Sequence, residues 1–260
     1  MDITNKIAVI TGGETGIGAE LARSFHAAGA KHIAVAGLQK SKLESVAEEI
    51  NGLAITCDVT QEKEVQHLVE QVENGVGPID IFCSNAGIAL LGDEDATDAD
   101  WDRNWKVHVM GHVYAVRAIV PKMVARGGGY LIHTASAAGL LSHIQSASYS
   151  VTKHATIAFA EWVSIKYRHE GIKVSVLAPQ AVRTPMLERP EGKDALVAGV
   201  DGVIEPAQLA ECVLDGIAEE HFLILPHPKV ADYMKRKSEN IDRWLEGMNL
   251  WRQKTGPANK

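Results

Sequence analysis

Lys6-Ile7-Ala8-Val9-Ile10-Thr11-Gly12-Gly13-Glu14-Thr15-Gly16-Ile17-Gly18 is the stretch on which the fold turns. A short apolar run gives way to a glycine-rich loop, and Glu20, Leu21, Ala22 and Phe25 then follow at helical spacing up to Gly29. The unit reads as strand, tight loop and helix. Backbone amides at such a helix start, together with the helix dipole, can hold a pyrophosphate. Side chains in the loop would block the phosphates or the approach of the helix to the sheet. The same residues also read as a plain strand-to-helix turn, and the Gly-x-x-x-Gly-x-Gly spacing differs from the general dinucleotide fingerprint.

Outward from this stretch the unit repeats. Apolar runs at 32–36, 53–57, 79–83, 130–134, 173–177 and 222–225 alternate with helical patterns, including a long one over about 100–126 and another from Tyr149 to about 169. This rhythm predicts an α/β fold, a Rossmann-like doubly wound parallel sheet of about seven strands with helices on both faces. All of it fits one domain over 1–260. The stretch 183–205 has proline, glycine and charge without a clear period, and is expected to be a lid over a pocket. Residues 228–252 predict an amphipathic helix whose stripe of Val230, Tyr233, Met234, Ile241, Trp244, Leu245, Met248 and Trp251 must dock on the lid or on a second subunit.

Composition narrows the class. With 260 residues, 46% hydrophobic and 23% charged, the chain can bury a sizeable core without staples. A net charge of −7 without any basic block argues against nucleic acid as a partner. Cys57, Cys83 and Cys212 are too scattered for a redox pair, a zinc knuckle or a disulfide framework. The opening apolar run is too short for a secretion signal, and no run has membrane-spanning length. A soluble, cytoplasmic protein with no membrane partner is expected.

Three further motifs fall where the strands end: Asn85-Ala86-Gly87 after the fourth, Ser136 after the fifth, and Tyr149-x-x-x-Lys153 opening the next helix. In this order, and together with the glycine loop, they resemble the short-chain dehydrogenase/reductase family from Lys6 to about Leu225. The resemblance implies a one-domain catalytic unit, bound NAD(H) or NADP(H), a small-molecule substrate and a homotetramer or homodimer.

Tyrosine and lysine four residues apart share one helix face. A phenol titrates near 10, and the ammonium of Lys153 would favour its ionised form, making Tyr149 a general acid and base. By resemblance, Ser136 donates to the substrate oxygen and Lys153 also bonds the nicotinamide ribose. Gly12, Thr15, Gly16, Ile17 and Gly18 would surround the pyrophosphate, and Asn85, Ala86 and Gly87 would floor the cofactor. Asp58 and Val59 match the pair that holds the adenine, although Asp58 could equally cap the helix beginning near Thr60. Pro179, Val182 and Thr184 match positions toward the carboxamide and pyrophosphate.

The chain departs from the family at several points. His108 stands where the family has an asparagine that links the lysine to a proton-conducting water chain; an imidazole titrating near neutrality could serve as relay instead. His108 and His112 are four apart, but without a following glutamate or a third ligand no metal is expected. Gln180 replaces a glycine beside the nicotinamide end. The second strand ends in Gly37 and Leu38 rather than an acid; this leaves room for a 2′-phosphate within reach of Lys40, and leans toward NADP(H), although Glu14 has the wrong sign.

Expected substrate contacts are Ala89, Leu91, Leu140, His143, Gln145, Gln180, Met186 and Leu187. Their mainly apolar character suits a hydrophobic secondary alcohol or ketone, while each leucine also reads as core. The competing readings are a 3-oxoacyl thioester reductase, for which Arg183, Arg189 and Lys193 would have to dock an acidic carrier, and a non-catalytic nicotinamide-binding sensor.

Overall fold

The apolar runs become strands because both faces of the sheet are covered: the first is buried throughout, and only edge positions such as Thr56 in the third reach water. In the computed structural model, which describes residues 1–188 and 199–255, β1 (Ile7–Thr11), β2 (His32–Gly37), β3 (Leu53–Thr56), β4 (Ile81–Ser84), β5 (Gly129–Thr134), β6 (Ile172–Leu177) and β7 (Leu223–Ile224) form one sheet. Its order is β3-β2-β1-β4-β5-β6-β7, and every pairing is parallel. The order reverses between β1 and β4. At that switch point the connections leave in opposite directions and open a crevice beyond the carboxyl ends of the strands.

Ile7 and Val9 point to the face covered by α3 (Glu62–Gly75), α5 (Gly111–Ala125) and α7 (Ala147–Tyr167). Ala8 and Ile10 point to the other, covered by α1 (Gly16–Ala27), α2 (Lys40–Glu49) and α8 (Pro206–Ala218). The period-two alternation of β1 therefore feeds two separate apolar layers.

Two expected helices are each interrupted. The long central one is α4 (Asp98–Trp105), capped by Thr97, then a π-helical segment Lys106–Met110, then α5. The tail is a pair, α9 (Lys229–Glu239) and α10 (Ile241–Thr255), where one amphipathic helix over 228–252 is predicted. Asn240 breaks it: its backbone is extended, and its side chain accepts from the Arg243 amide at 3.0 Å, capping the second helix.

The pair docks on its own chain. Val230 is fully buried with Ala137 and Leu141, beside the short helix α6 (Ala138–Leu141), and Tyr233, Met234 and Trp244 pack round it. Lys237 donates to the Leu140 carbonyl at 2.6 Å, and Arg252 bonds the Ile144 carbonyl and pairs with Asp93 at 2.8 Å. Of the expected lid, 189–198 lies outside the described residues. Its far end meets the tail at Asp201, which accepts from Tyr233 at 3.0 Å and pairs with Lys229 at 3.0 Å.

Candidate active site

The carboxyl ends of β1, β4 and β5 are bolted together by polar side chains. The Thr11 hydroxyl donates to the Cys83 carbonyl and accepts from the Asn85 and Ala86 amides. Asn85 donates to the Thr11 carbonyl at 3.1 Å and accepts from Thr134 at 3.1 Å. This exhausts the capacity of the threonine hydroxyl. Its product is a rigid rim on which the glycine loop sits, and the signal for it is a threonine at the end of a buried strand.

Over the rim opens a cavity of about 920 Å³. Its floor is main chain. A Cβ on Gly12 would lie 2.8 Å from Ala86 Cα, and one on Gly18 only 2.1 Å from the Gly12 carbonyl oxygen. Gly16 has φ +55°, a left-handed conformation that suits glycine. Thr15, the residue before α1, offers no side-chain cap, so the first amides of that helix remain available to an anion. The cradle fits the pyrophosphate of a dinucleotide.

At the other end stand the residues of chemical interest. Ser146 caps α7 by accepting from the Tyr149 amide at 3.3 Å, which starts the helix so that Tyr149 and Lys153 face the cavity. Lys153 Nζ lies 5.7 Å from the centre of the Tyr149 ring and donates to the Thr134 carbonyl at 3.2 Å. Burial pushes the Lys153 ammonium down to about 7. Ser136 lines the same wall; its oxygen accepts from the Ala138 amide at 3.1 Å, and its own proton points to the Pro179 carbonyl at 3.4 Å.

His108 lies behind this wall. Its Nε2 accepts from the Ile88 amide at 3.2 Å, so Nδ1 carries the proton and donates to Thr152 Oγ1 at 3.0 Å. Burial, reinforced by the nearby Lys153 charge, holds the ring well below its ordinary range and therefore neutral. The expected role of a relay titrating near neutrality does not fit these bonds; the ring is a clamp on the loop after β4. His112 turns elsewhere, to His133 at 2.8 Å between Nδ1 atoms, so the i, i+4 histidines do not converge on one point.

Gly18, His108, Leu140 and Gln145 are the expected site residues that do not line the cavity. Gly18 acts through helix approach, and Leu140 packs against the core and the tail. Gln145 is buried. Glycine-loop residues Gly12, Thr15, Gly16 and Ile17 do line it, as do Gly37, Leu38, Asp58, Val59, Asn85, Ala86 and Gly87. So do Ala89, Leu91, His143, Pro179, Gln180, Val182, Thr184, Met186 and Leu187. Asp58 also accepts from the Thr60 amide at 2.9 Å, but this bond closes the turn before α3 and does not cap the helix, whose N-cap position is Gln61. Lys40 turns away to Glu44, and the open space assigned to a 2′-phosphate at Gly37 holds the Glu14 carboxylate. Arg183, one of the three basic residues a carrier protein would need, is paired with Glu205 at 2.7 Å; Arg189 and Lys193 lie outside the described residues.

Sequence reasoning missed the wall made by the tail. Tyr233, Arg236, Trp244, Met248 and Trp251 line the cavity. Among the described residues the Arg236 guanidinium meets no carboxylate; it lies over the Tyr233 ring at 5.8 Å. Gln180 joins the same wall through Asp201, donating to it at 3.1 Å.

A family model described as short chain dehydrogenase matches residues 6–194. The chain is 31% identical over 255 residues to a 1-deoxy-11-beta-hydroxypentalenate dehydrogenase of Streptomyces exfoliatus, covering 94% of this chain and 90% of that one. Among solved structures it is similar to a short chain dehydrogenase/reductase from Burkholderia phymatum in complex with NAD, with TM-score 0.85 and 26% identity over 93% of this chain and 96% of that one. It is also similar to L-sorbose reductase from Gluconobacter frateurii complexed with NADPH and L-sorbose, with TM-score 0.77 and 27% identity over 86% and 97%.

Proposed function

The chain belongs to the short-chain dehydrogenase/reductase family, and on that premise we propose that it is an NAD(P)-dependent enzyme interconverting a hydrophobic secondary alcohol and its ketone. The observation that carries this reading is the buried Lys153 amine facing the Tyr149 ring in a cavity whose other end is an uncapped helix start. A bound nicotinamide would supply hydride transfer to or from the substrate carbon. Glycine-loop amides would hold its pyrophosphate, and Lys153 would serve its ribose hydroxyls.

Tyr149 moves the proton at its phenol oxygen. Phenol with neutral amine and phenolate with ammonium carry the same net charge, so one proton can rest on either group. An amine brought down to about 7 by burial shares it readily near neutral pH. The Ser136 hydroxyl, weakly engaged with Pro179, turns to donate to the substrate oxygen. The apolar walls exclude water from the reacting carbon.

The substrate class rests on the tail. Trp244, Met248 and Trp251, with Leu91, Met186 and Leu187, suit an alicyclic or aromatic skeleton. Arg236, without a carboxylate of its own among the described residues, suits a substrate that also bears an acid. The relative from Streptomyces exfoliatus is named for a substrate carrying both a hydroxyl and a carboxylate. The exposed apolar side chains Val151, Trp162 and Ile165 on α7, with Trp105 nearby on α4, support a homo-oligomer built on that face, and light scattering reads its size. Free, buried Cys57 and Cys83 suit the reducing cytoplasm.

The test is a panel of alicyclic and aromatic secondary alcohols, each as free acid and methyl ester, followed through the absorbance of the reduced nicotinamide. Turnover that prefers acids and is abolished in Tyr149→Phe supports the reading. Tight dinucleotide binding with no turnover across the panel would instead identify a sensor.

A further inference from the structure

We propose that Glu14, reaching from the glycine loop across the end of β2, selects NAD(H) over NADP(H). This rests on the reading that a nicotinamide dinucleotide binds in the cavity. In sheets of this kind an acid at the end of the second strand accepts from the adenosine ribose 2′-hydroxyl and repels a 2′-phosphate. Here that strand ends in Gly37, which has no side chain to offer.

The missing carboxylate arrives from elsewhere. A Cβ on Gly37 would lie 2.0 Å from Glu14 Oε2, 2.5 Å from its Cδ and 2.6 Å from Oε1, so the Glu14 carboxyl group lies against the bare Cα of the glycine. Oε1 accepts from the Leu38 amide at 3.1 Å. The backbone beneath is pinned too, since the Gly13 amide donates to the Ala36 carbonyl at 3.1 Å. Oε2 is buried without a partner among the described residues, and a buried carboxylate oxygen with unmet acceptor capacity favours a hydroxyl donor beside it. Glu14, Gly37 and Leu38 all line the cavity, so this charge belongs to the wall of the site.

The opposing charges are few. Lys40 is exposed and turned to Glu44 at 3.7 Å. Lys42 also lines the cavity, on the exposed face of α2, where solvent screens its charge. A 2′-phosphate placed beside Gly37 meets a carboxylate anchored on the Leu38 amide. The contact also makes a glycine at 37 and a glutamate at 14 mutually dependent: any side chain at 37 must evict the Glu14 carboxyl group.

Dissociation constants for NADH and NADPH, measured by titration calorimetry on the whole chain, test this. The natural protein should bind NADH more tightly. Glu14→Ala should weaken NADH by about tenfold or more and narrow the ratio, the loss expected for a hydrogen bond to a charged acceptor. Glu14→Gln keeps the shape and an acceptor for Leu38 while removing the charge, and should improve NADPH binding even if the alanine variant folds poorly. The double variant Glu14→Ala, Gly37→Asp returns an acid from the strand and should restore the NADH preference. A natural protein that prefers NADPH, or a ratio unmoved in both Glu14 variants, overturns the inference while leaving the cofactor reading intact. Failure of the natural protein to bind either dinucleotide overturns both.

Discussion

The His108 ring holds the Ile88 amide at 3.2 Å and the Thr152 hydroxyl at 3.0 Å, one through each nitrogen. Both nitrogens are committed, and a proton could be added only by turning an amide donor away inside the protein. His108→Asn retains one acceptor and one donor on a smaller frame. Its rate-against-pH profile from 6 to 9 should keep the natural shape, with a change in kcat of no more than about threefold. His108→Ala leaves the Ile88 amide without its partner and should cost about tenfold or more in kcat/KM. A pH limb near neutrality present in the natural protein and lost in His108→Asn would restore the imidazole as a relay.

Lys153 gives stability a pH dependence. Burial brings its folded value to about 7, while an unfolded lysine titrates near 10.4. Between those values the unfolded chain binds the extra proton, so stability of the cofactor-free protein rises as pH rises through this window and levels off below it. The slope contributed by this residue is on the order of 1.4 kcal/mol per pH unit. Melting temperatures of the natural protein and Lys153→Met, measured from pH 7 to 10, should converge as pH increases. Parallel curves would show that the amine is not titrating there.

Asp201 ties together Gln180, Tyr233 and Lys229 although its side chain is only 6% exposed. Asp201→Ala should therefore loosen α9 from the cavity. The expected signature is KM raised by about tenfold with kcat changed much less, because the reacting wall on α7 is untouched. Limited proteolysis should cut earlier in the tail of the variant. Equal changes in kcat and KM would point to damage at the reaction centre.

Two glycines give opposite outcomes on replacement by alanine. At Gly18 the new Cβ would lie 2.1 Å from a main-chain oxygen, so dinucleotide affinity should fall by about a hundredfold as α1 is forced off the loop. At Gly75, the last residue of α3, none of the described residues would lie within 4 Å of the new Cβ, and Gly75→Ala should stabilise by about 0.5–1 kcal/mol. Calorimetric affinity and thermal unfolding read the two effects.

The sheet was legible because double burial turns each strand into an apolar run, as at Ile7 to Ile10 and Tyr130 to Ile132. Tyr149 and Lys153 were legible because their relation is local, one helical turn. What escaped depends on contacts distant in sequence. Nothing about Glu14 announces that its carboxyl group will lie on Gly37, and the stripe of Trp244, Met248 and Trp251 reads as an amphipathic face whichever surface it meets. The interruption of the central helix at Lys106–Met110 is equally hidden, since π-helical turns leave no trace in apolar periodicity. Asn240 was readable in principle, as a polar cap residue placed immediately before the run beginning at Ile241.

The family match ends at residue 194, yet Tyr233, Trp244, Met248 and Trp251 come after it. On the proposed reading, part of the molecular taste is thus written beyond the stretch that carries Tyr149 and Lys153. A lineage that rewrites its last two helices should then change its diet while Tyr149 and Lys153 stay in place, and grafting that terminal segment between cousins is expected to carry the preference with it.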